Sequence, residues 1–275
     1  MASEGLQGHR ARKRFGQNFL HDRHWIERIA KAVNATEGDD IVEIGPGQAA
    51  LTRELIADAG KVRAVEIDRD LAAWLKETFP ESLSLIEADA LTLDWTQVAK
   101  NDNLRVVGNL PYNISSPLLF KLLEAADHVK DQHFMLQKEV VDRMVAQHGS
   151  KTYGRLSVML QWRYRMQKLF DVPPGAFNPP PKVMSSVVRM IPKTKEEVPS
   201  VDFELFSSVV ANAFSQRRKT IRNALSALLS AEEIAACDVD PGARAEALPL
   251  DAFVRLAQKA EALGRKAVTP GTTVD

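Results

Sequence analysis

The chain has little that would tie it to an oxidising compartment or to a membrane. Among its 275 residues there is one cysteine, Cys237, which can form neither an intramolecular disulfide nor a thiolate metal cluster and fits a reducing compartment. The polar, basic stretch Met1 to Arg14 has no apolar core of signal-peptide length. No window approaches the roughly 18 consecutive apolar residues of a membrane-spanning helix. A soluble, cytoplasmic protein with no membrane partner is expected. The six histidines show no ligand spacing, so no metal is expected. Net charge is absent too, with 36 basic residues against 36 acidic ones, which taken alone argues against a nucleic-acid partner. The distribution says more than the sum. Arg12, Lys13 and Arg14 crowd a basic arm over residues 1–14, and Arg217, Arg218, Lys219 and Arg222 crowd a later helix. A neutral chain of this kind can still carry a basic face.

What is present is alternation. β-Branched runs at Ile41–Ile44, Val62–Ile67, Leu83–Glu87, Arg105–Val107 and His133–Leu136 are separated by stretches of helical periodicity, among them Ala50–Ala57, Asp70–Thr78 and Pro117–Ala125. This order specifies a parallel sheet covered by helices on both faces. A helix near Arg155–Tyr164 and strands near Lys168–Val172 and Ser185–Ile191 extend it to seven strands. A charged, proline-bracketed stretch from Pro192 to Pro199 reads as a linker. Beyond it the pattern is helical, over Phe203–Leu229, Ala231–Cys237 and Pro249–Leu263, with a polar tail after Gly264 read as disordered. The expected fold is thus α/β, a Rossmann-like seven-stranded domain over residues 1–195 followed by a small all-α domain over residues 196–275.

Ligand-type residues recur at the C-terminal ends of successive strands, the edge where α/β sheets bind ligands. Glu43-Ile44-Gly45-Pro46-Gly47 ends a strand in a glycine turn and opens a helix, so backbone can approach a ligand closely at Gly45 and Gly47. Glu66, followed by Ile67, lies about twenty residues on, where an acid accepts hydrogen bonds from ribose hydroxyls. Asp89, beside Ala90, closes the next strand and can receive an adenine amino group. These features serve a nicotinamide dinucleotide or S-adenosylmethionine equally. The motif Asn109-Leu110-Pro111-Tyr112 at the end of the fourth strand separates them. An exocyclic adenine amine is a poor nucleophile, and a side-chain amide oxygen with a backbone carbonyl can accept its two N–H groups and favour a pyramidal nitrogen. Asn109 supplies the amide, and Leu110 is the candidate for the carbonyl because Pro111 fixes the turn and lacks an N–H. Tyr112 offers a face for a base removed from its stack. A nicotinamide oxidoreductase gives this series no role.

On these residues the chain resembles the KsgA/RsmA family of ribosomal RNA adenine dimethyltransferases, from about Arg10 to Leu256. The resemblance implies a class I methyltransferase fold and S-adenosylmethionine as cofactor, with S-adenosylhomocysteine as product. Arg12-Lys13-Arg14-Phe15-Gly16-Gln17-Asn18-Phe19-Leu20 is similar to the family's N-terminal motif, which implies cofactor contacts at Asn18 and Leu20. The same likeness assigns methionine and ribose contacts to Glu43-Ile44-Gly45-Pro46-Gly47 and Glu66, and the adenine contact to Asp89, with Ile67, Ala90 and Asn109 beside them. It gives the catalytic tetrad as Asn109, Leu110, Pro111 and Tyr112. Phe177-Asn178-Pro179-Pro180-Pro181 resembles the loop whose aromatic stacks on the target base, so Phe177 is expected opposite Tyr112. Read without the resemblance, Phe177 is a proline-loop anchor. Phe214 to Leu225 is similar to the helical-domain signature, with Lys219 and Arg222 projecting towards phosphates. The implied partner is 16S ribosomal RNA in an immature small (30S) subunit, methylated on N6 of two adjacent adenosines near its 3′ end by a monomer. Three rivals remain: a methyltransferase of large-subunit RNA of the antibiotic-resistance (Erm) class, the nicotinamide oxidoreductase, and a non-catalytic RNA-binding assembly factor.

Overall fold

The computed structural model describes residues 6, 11, 16–216 and 218–270, so Arg12, Lys13, Arg14 and Arg217 lie outside the described residues. Nine strands occur among them: β1 (Phe19–Leu20), β2 (Ile41–Ile44), β3 (Val62–Glu66), β4 (Leu83–Glu87), β5 (Leu104–Asn109), β6 (Val129–Gln137), β7 (Tyr164–Val172), β8 (Phe177–Asn178) and β9 (Ser185–Pro192). Seven form one sheet in the order β4-β3-β2-β5-β6-β9-β7, as expected from the alternation. The β2, β3, β4, β5 and β6 pairings are parallel and β9 runs antiparallel to β6. All four residues of β2 are buried, which suits a central strand covered on both faces. The order reverses beside β2, where the chain returns from the β4 edge to lay β5 on its other side. That switch point opens a crevice at the C-terminal strand ends.

The register at the switch point depends on a glycine. Ile44 of β2 pairs with Gly108 of β5, and a Cβ on Gly108 would lie 2.8 Å from the Ile44 carbonyl oxygen. Only a residue without a side chain lets β5 run flush against β2 immediately before Asn109. At the other end of the sheet, the buried Arg105 guanidinium grips Asp131 of β6 at 2.9 Å through two nitrogens and Asp39 at 2.7 Å, and donates to the Val33 and Asn34 carbonyls. These contacts hold β5 and β6 in line with the turn that enters β2.

A second, two-stranded sheet pairs β1 with β8, Leu20 opposite Phe177. No strand was expected at either place, because two-residue strands carry no periodicity. The chain divides into two compact units, residues 1–141 with 165–192 and residues 142–164 with 193–275. The chain therefore crosses between units at 192/193, within the expected linker. The helix Arg155–Arg163, read from sequence as an extension of the sheet domain, falls in the helical unit instead. Within that unit Phe206, Val209, Val210, Ile221, Leu225, Phe253 and Leu256 are fully buried. The long helix expected over Phe203–Leu229 is broken into Phe203–Phe214 and Ile221–Ala224. The break follows from Thr220, Ile221 and Arg222, whose backbone turns to the segment Pro241–Arg244: Thr220 bridges Arg244, and the N–H groups of Ile221 and Arg222 donate to Ala243 and Pro241. The tail after Gly264 is anchored as far as Val268, whose carbonyl accepts from Ser208 Oγ and Asn212 Nδ2 at 2.7 and 3.0 Å. Buried hydroxyl and amide donors thus replace the apolar contacts that a search for hydrophobic periodicity would register.

Gly108→Ala should cost about 1–3 kcal/mol, the range for forcing a methyl into a packed interior. Chemical denaturation measures it, and an unchanged midpoint would show that β2 and β5 can separate locally.

Candidate active site

A cavity of about 340 Å³ lies at the C-terminal ends of β2 to β5. It gathers Asn18, Leu20, Gly45, Gly47, Glu66, Ile67, Asp89, Ala90, Asn109, Leu110, Pro111 and Tyr112 around one space. These residues come from five separate segments of chain, and the crevice at the switch point brings them together.

The glycine turn forms one wall. Gly45 and Gly47 take φ of 66° and 55°, left-handed values that disfavour any residue with a Cβ. A Cβ on Gly47 would also meet the Phe19 ring at 3.0 Å. The helix Ala50–Ala59 begins at Ala49 with no side-chain cap, so no side chain occupies the positive end of its dipole. Glu66, buried at the end of β3, accepts from the Asp68 N–H at 2.8 Å and, more weakly, from the Gly47 N–H at 3.4 Å. Glu43, inside β2, accepts from Thr52 Oγ1 at 2.6 Å. Asp89 uses one oxygen to accept the Leu91 N–H at 2.9 Å, and the buried Trp95 Nε1 ties down the Ala90 carbonyl at 2.9 Å. Ile67 is 44% exposed, an apolar side chain left open beside the acids.

Electrostatics separate the two candidate cofactors. The cavity is lined by three carboxylates, Glu43, Glu66 and Asp89, and by no lysine or arginine among the described residues. Burial pushes Glu43 up to about 7, opposed by its Thr52 hydrogen bond and reinforced by Glu66. Burial likewise raises Glu66 to about 7 against its backbone donors. His133, also lining the cavity, is pushed down to about 4 by burial and stays neutral. Two buried acids without a cation are costly unless a positive ligand completes them. A dinucleotide would instead set its anionic pyrophosphate beside them. The donor set therefore fits a cationic adenosyl cofactor such as S-adenosylmethionine: Glu66 for ribose hydroxyls, Asp89 for an amino group, Ile67 against an aromatic ring, and the glycine turn with Glu43 behind a charged methionine end.

The opposite wall is the loop after β5. Asn109 Nδ2 donates to the backbone carbonyl of Asn18 at 3.1 Å. A carbonyl only accepts, so the amide nitrogen must face it and Oδ1 is left as an acceptor. The Leu110 N–H is bound to the Met135 carbonyl at 3.1 Å, and the Pro111 carbonyl accepts from Ile114 at 3.2 Å. No donor among the described residues reaches the Leu110 carbonyl. Tyr112 Oη and Ser185 Oγ share a hydrogen bond of 2.8 Å, and burial raises the phenol above its ordinary value, so the ring is neutral and anchored. The sequence reading missed Ser185 and His133, which no motif marks. It carried Glu43 only within the glycine-turn motif and gave it no role of its own, although an acid inside an apolar strand was a signal.

One expected site residue is placed elsewhere. Phe177 is 2% exposed, belongs to the hydrophobic core and does not line the cavity. Its backbone pairs with Leu20, which sets its ring among apolar neighbours instead of across from Tyr112. In this structure Phe177 anchors its loop. Arg218, Lys219 and Arg222 are exposed in the helical unit.

The sheet, parallel from β4 to β6 with β9 antiparallel to β6, the acidic glycine-turn pocket and the amide loop define a class I S-adenosylmethionine-dependent methyltransferase. Comparison with known proteins narrows the class. A family model described as ribosomal RNA adenine dimethylase matches residues 8–261, and the chain belongs to that family. It is 53% identical over 256 residues to the ribosomal RNA small subunit methyltransferase A of Acinetobacter baylyi, covering 92% of this chain and 93% of that one. Against the protein of the same name from Pseudomonas aeruginosa it is 52% identical over 265 residues, 95% of this chain and 99% of the other. Among solved structures, a dimethyladenosine transferase from Plasmodium falciparum superposes with a TM-score of 0.79 at 25% identity, over 91% of this chain and 100% of that one. The 23S rRNA methyltransferase ErmE gives 0.69 at 26% identity, over 89% and 100%.

The acids predict a pH signature. A carboxyl whose folded-state value is raised from 4.5 to about 7 contributes stability that is present below pH 4.5 and lost as pH rises through 7. Relative to Glu43→Gln, the ligand-free wild type should lose about 2–3 kcal/mol between pH 5 and pH 8. His133 is common to both and cancels. Parallel denaturation curves check this, and a pH-independent difference would mean that Glu43 is not held as described.

Proposed function

We propose that this chain transfers methyl groups from S-adenosylmethionine to N6 of two adjacent adenosines near the 3′ end of 16S ribosomal RNA, acting as a monomer in the cytoplasm on an immature small subunit. The observation that carries the reading is the amide of Asn109, fixed by its Nδ2 bond to the Asn18 carbonyl with Oδ1 left as an acceptor, in a cavity that Leu110 also lines. These two acceptors match the two N–H groups of an adenine amine. Accepting both draws the nitrogen lone pair out of conjugation with the ring, which the reaction requires of a weak nucleophile. Tyr112, anchored through Ser185, presents a ring face to an extruded base. When bound, the cofactor supplies an electrophilic methyl on a sulfonium, a group that already carries its own leaving group. The protein's share is then alignment and exclusion of water.

The names carried by relatives above 50% identity support the small subunit over the large-subunit reading that ErmE exemplifies. For RNA contacts we propose Arg12, Lys13, Arg14, Arg217, Arg218, Lys219 and Arg222, cations suited to phosphates and so to placing the RNA without reading its sequence. Phe177 could join Tyr112 around the base only by leaving the core.

Asn109→Ala should lower methylation at least 10²–10³-fold, the cost of losing one designed acceptor or donor in a reacting site, while cofactor binding by calorimetry is retained. Tritiated methyl transfer to purified subunits from an unmodified strain provides the assay. Label confined to the large subunit would reject the substrate assignment, and undiminished turnover of the variant would reject the role of Asn109.

A further inference from the structure

The segment Gly16–Leu20 touches the catalytic loop as well as the cofactor pocket. It is pinned at several independent points: Gln17 Nε2 donates to Asp68 at 3.1 Å, the Phe19 ring lies over Gly47, β1 pairs with β8, and the His21 N–H donates to the Ala176 carbonyl at 3.0 Å. Gly16 packs so tightly that a Cβ there would stand 3.1 Å from Asn113 Oδ1. In the middle of this strap the Asn18 carbonyl receives the Asn109 amide.

We infer that the Asn18 peptide carbonyl is a positioning group that makes residue 109 an amide and aims its oxygen. The inference deepens the proposed N6 chemistry, since as acceptors of N–H groups a carboxylate and an amide oxygen are equally competent. The carbonyl breaks that equivalence. Against a fixed acceptor at 3.1 Å, an amide supplies a donor, whereas either orientation of a carboxylate sets a lone pair against a lone pair. An aspartate at this place can satisfy the carbonyl only when protonated, with O–H towards Asn18 and C=O towards the substrate. Among the described residues the other titratable groups lining the cavity, Glu43, Glu66, Asp89, Tyr112 and His133, include no cation that would hold such an aspartate ionised.

The test is Asn109→Asp, with wild type and Asn109→Ala beside it. At pH 8, with saturating cofactor and subunit, Asn109→Asp should methylate at least about 100-fold more slowly than wild type. Its rate relative to wild type should then climb towards tenfold for each pH unit of acidification while the aspartate remains largely ionised. Asn109→Ala should stay low at every pH. Thermal melts of the proteins without substrate give a readout independent of the chemistry: the deficit of Asn109→Asp against wild type should narrow on acidification and that of Asn109→Ala should not. A carboxylate variant that matches wild type at pH 8, or a deficit constant with pH, overturns the inference. So does a variant that folds at no pH although Asn109→Ala folds. Activity in Asn109→Ala would instead sink the proposed function, and the melts would still report on Asn18.

Discussion

The pairing of β2 with β5 is the constraint from which the site hangs. Where Ile44 meets Gly108 the strands pair so closely that a side chain at 108 would collide, after which β2 enters the glycine turn and β5 ends one residue later at Asn109. Cofactor wall and substrate wall are therefore a fixed strand spacing apart. Methyl transfer between two bound partners needs little else from a protein, because its barrier is dominated by bringing donor and acceptor into line. Arg105, which ties β5 to β6 and to the turn before β2, holds that spacing from the far end of the sheet.

The charge of the cavity completes the argument. A glycine turn followed by an acid is shared by dinucleotide and S-adenosylmethionine proteins, and the motif cannot choose between them. The choice comes from the charge of the folded pocket, since no lysine or arginine among the described residues lines a cavity that holds three carboxylates, two of them deeply buried. The buried acids are destabilising in the empty protein and become favourable against a cation, so binding energy is stored as strain in the unliganded site.

Much of this was legible in the sequence, because ligands at strand ends follow from topology and topology follows from alternation. Glu66, Asp89 and Asn109 could be placed with the glycines on one edge before any coordinates. Three things could not. The Asn18 carbonyl is a backbone atom, and no side-chain pattern announces it. Ser185 meets Tyr112 from 73 residues away through the antiparallel pairing of β9, a contact that only tertiary structure creates. Phe177 differs in kind: family likeness expects it at the base, and in the structure it sits in the hydrophobic core, outside the cavity lining. The helical break before Thr220 was hidden for a related reason. Hydrophobic periodicity runs on through it, and what interrupts the helix is backbone pairing with a distant segment.

The immobilised amide has a consequence for dimethylation. On the proposed chemistry, an adenine amine offers two N–H groups to two acceptors in the first transfer, but the monomethyl product keeps one. A freely rotating asparagine could answer by flipping, turning its own N–H groups towards the altered base. Here the Asn18 carbonyl forbids the flip, because it would leave two oxygens facing each other at 3.1 Å. The site thus meets both substrates as a pure acceptor, and the methyl of the intermediate must lie where one acceptor loses its partner. On the proposed N6 chemistry the second transfer therefore rests on a single hydrogen bond, and the amide side of the site stays fixed by the Gly16–Leu20 segment.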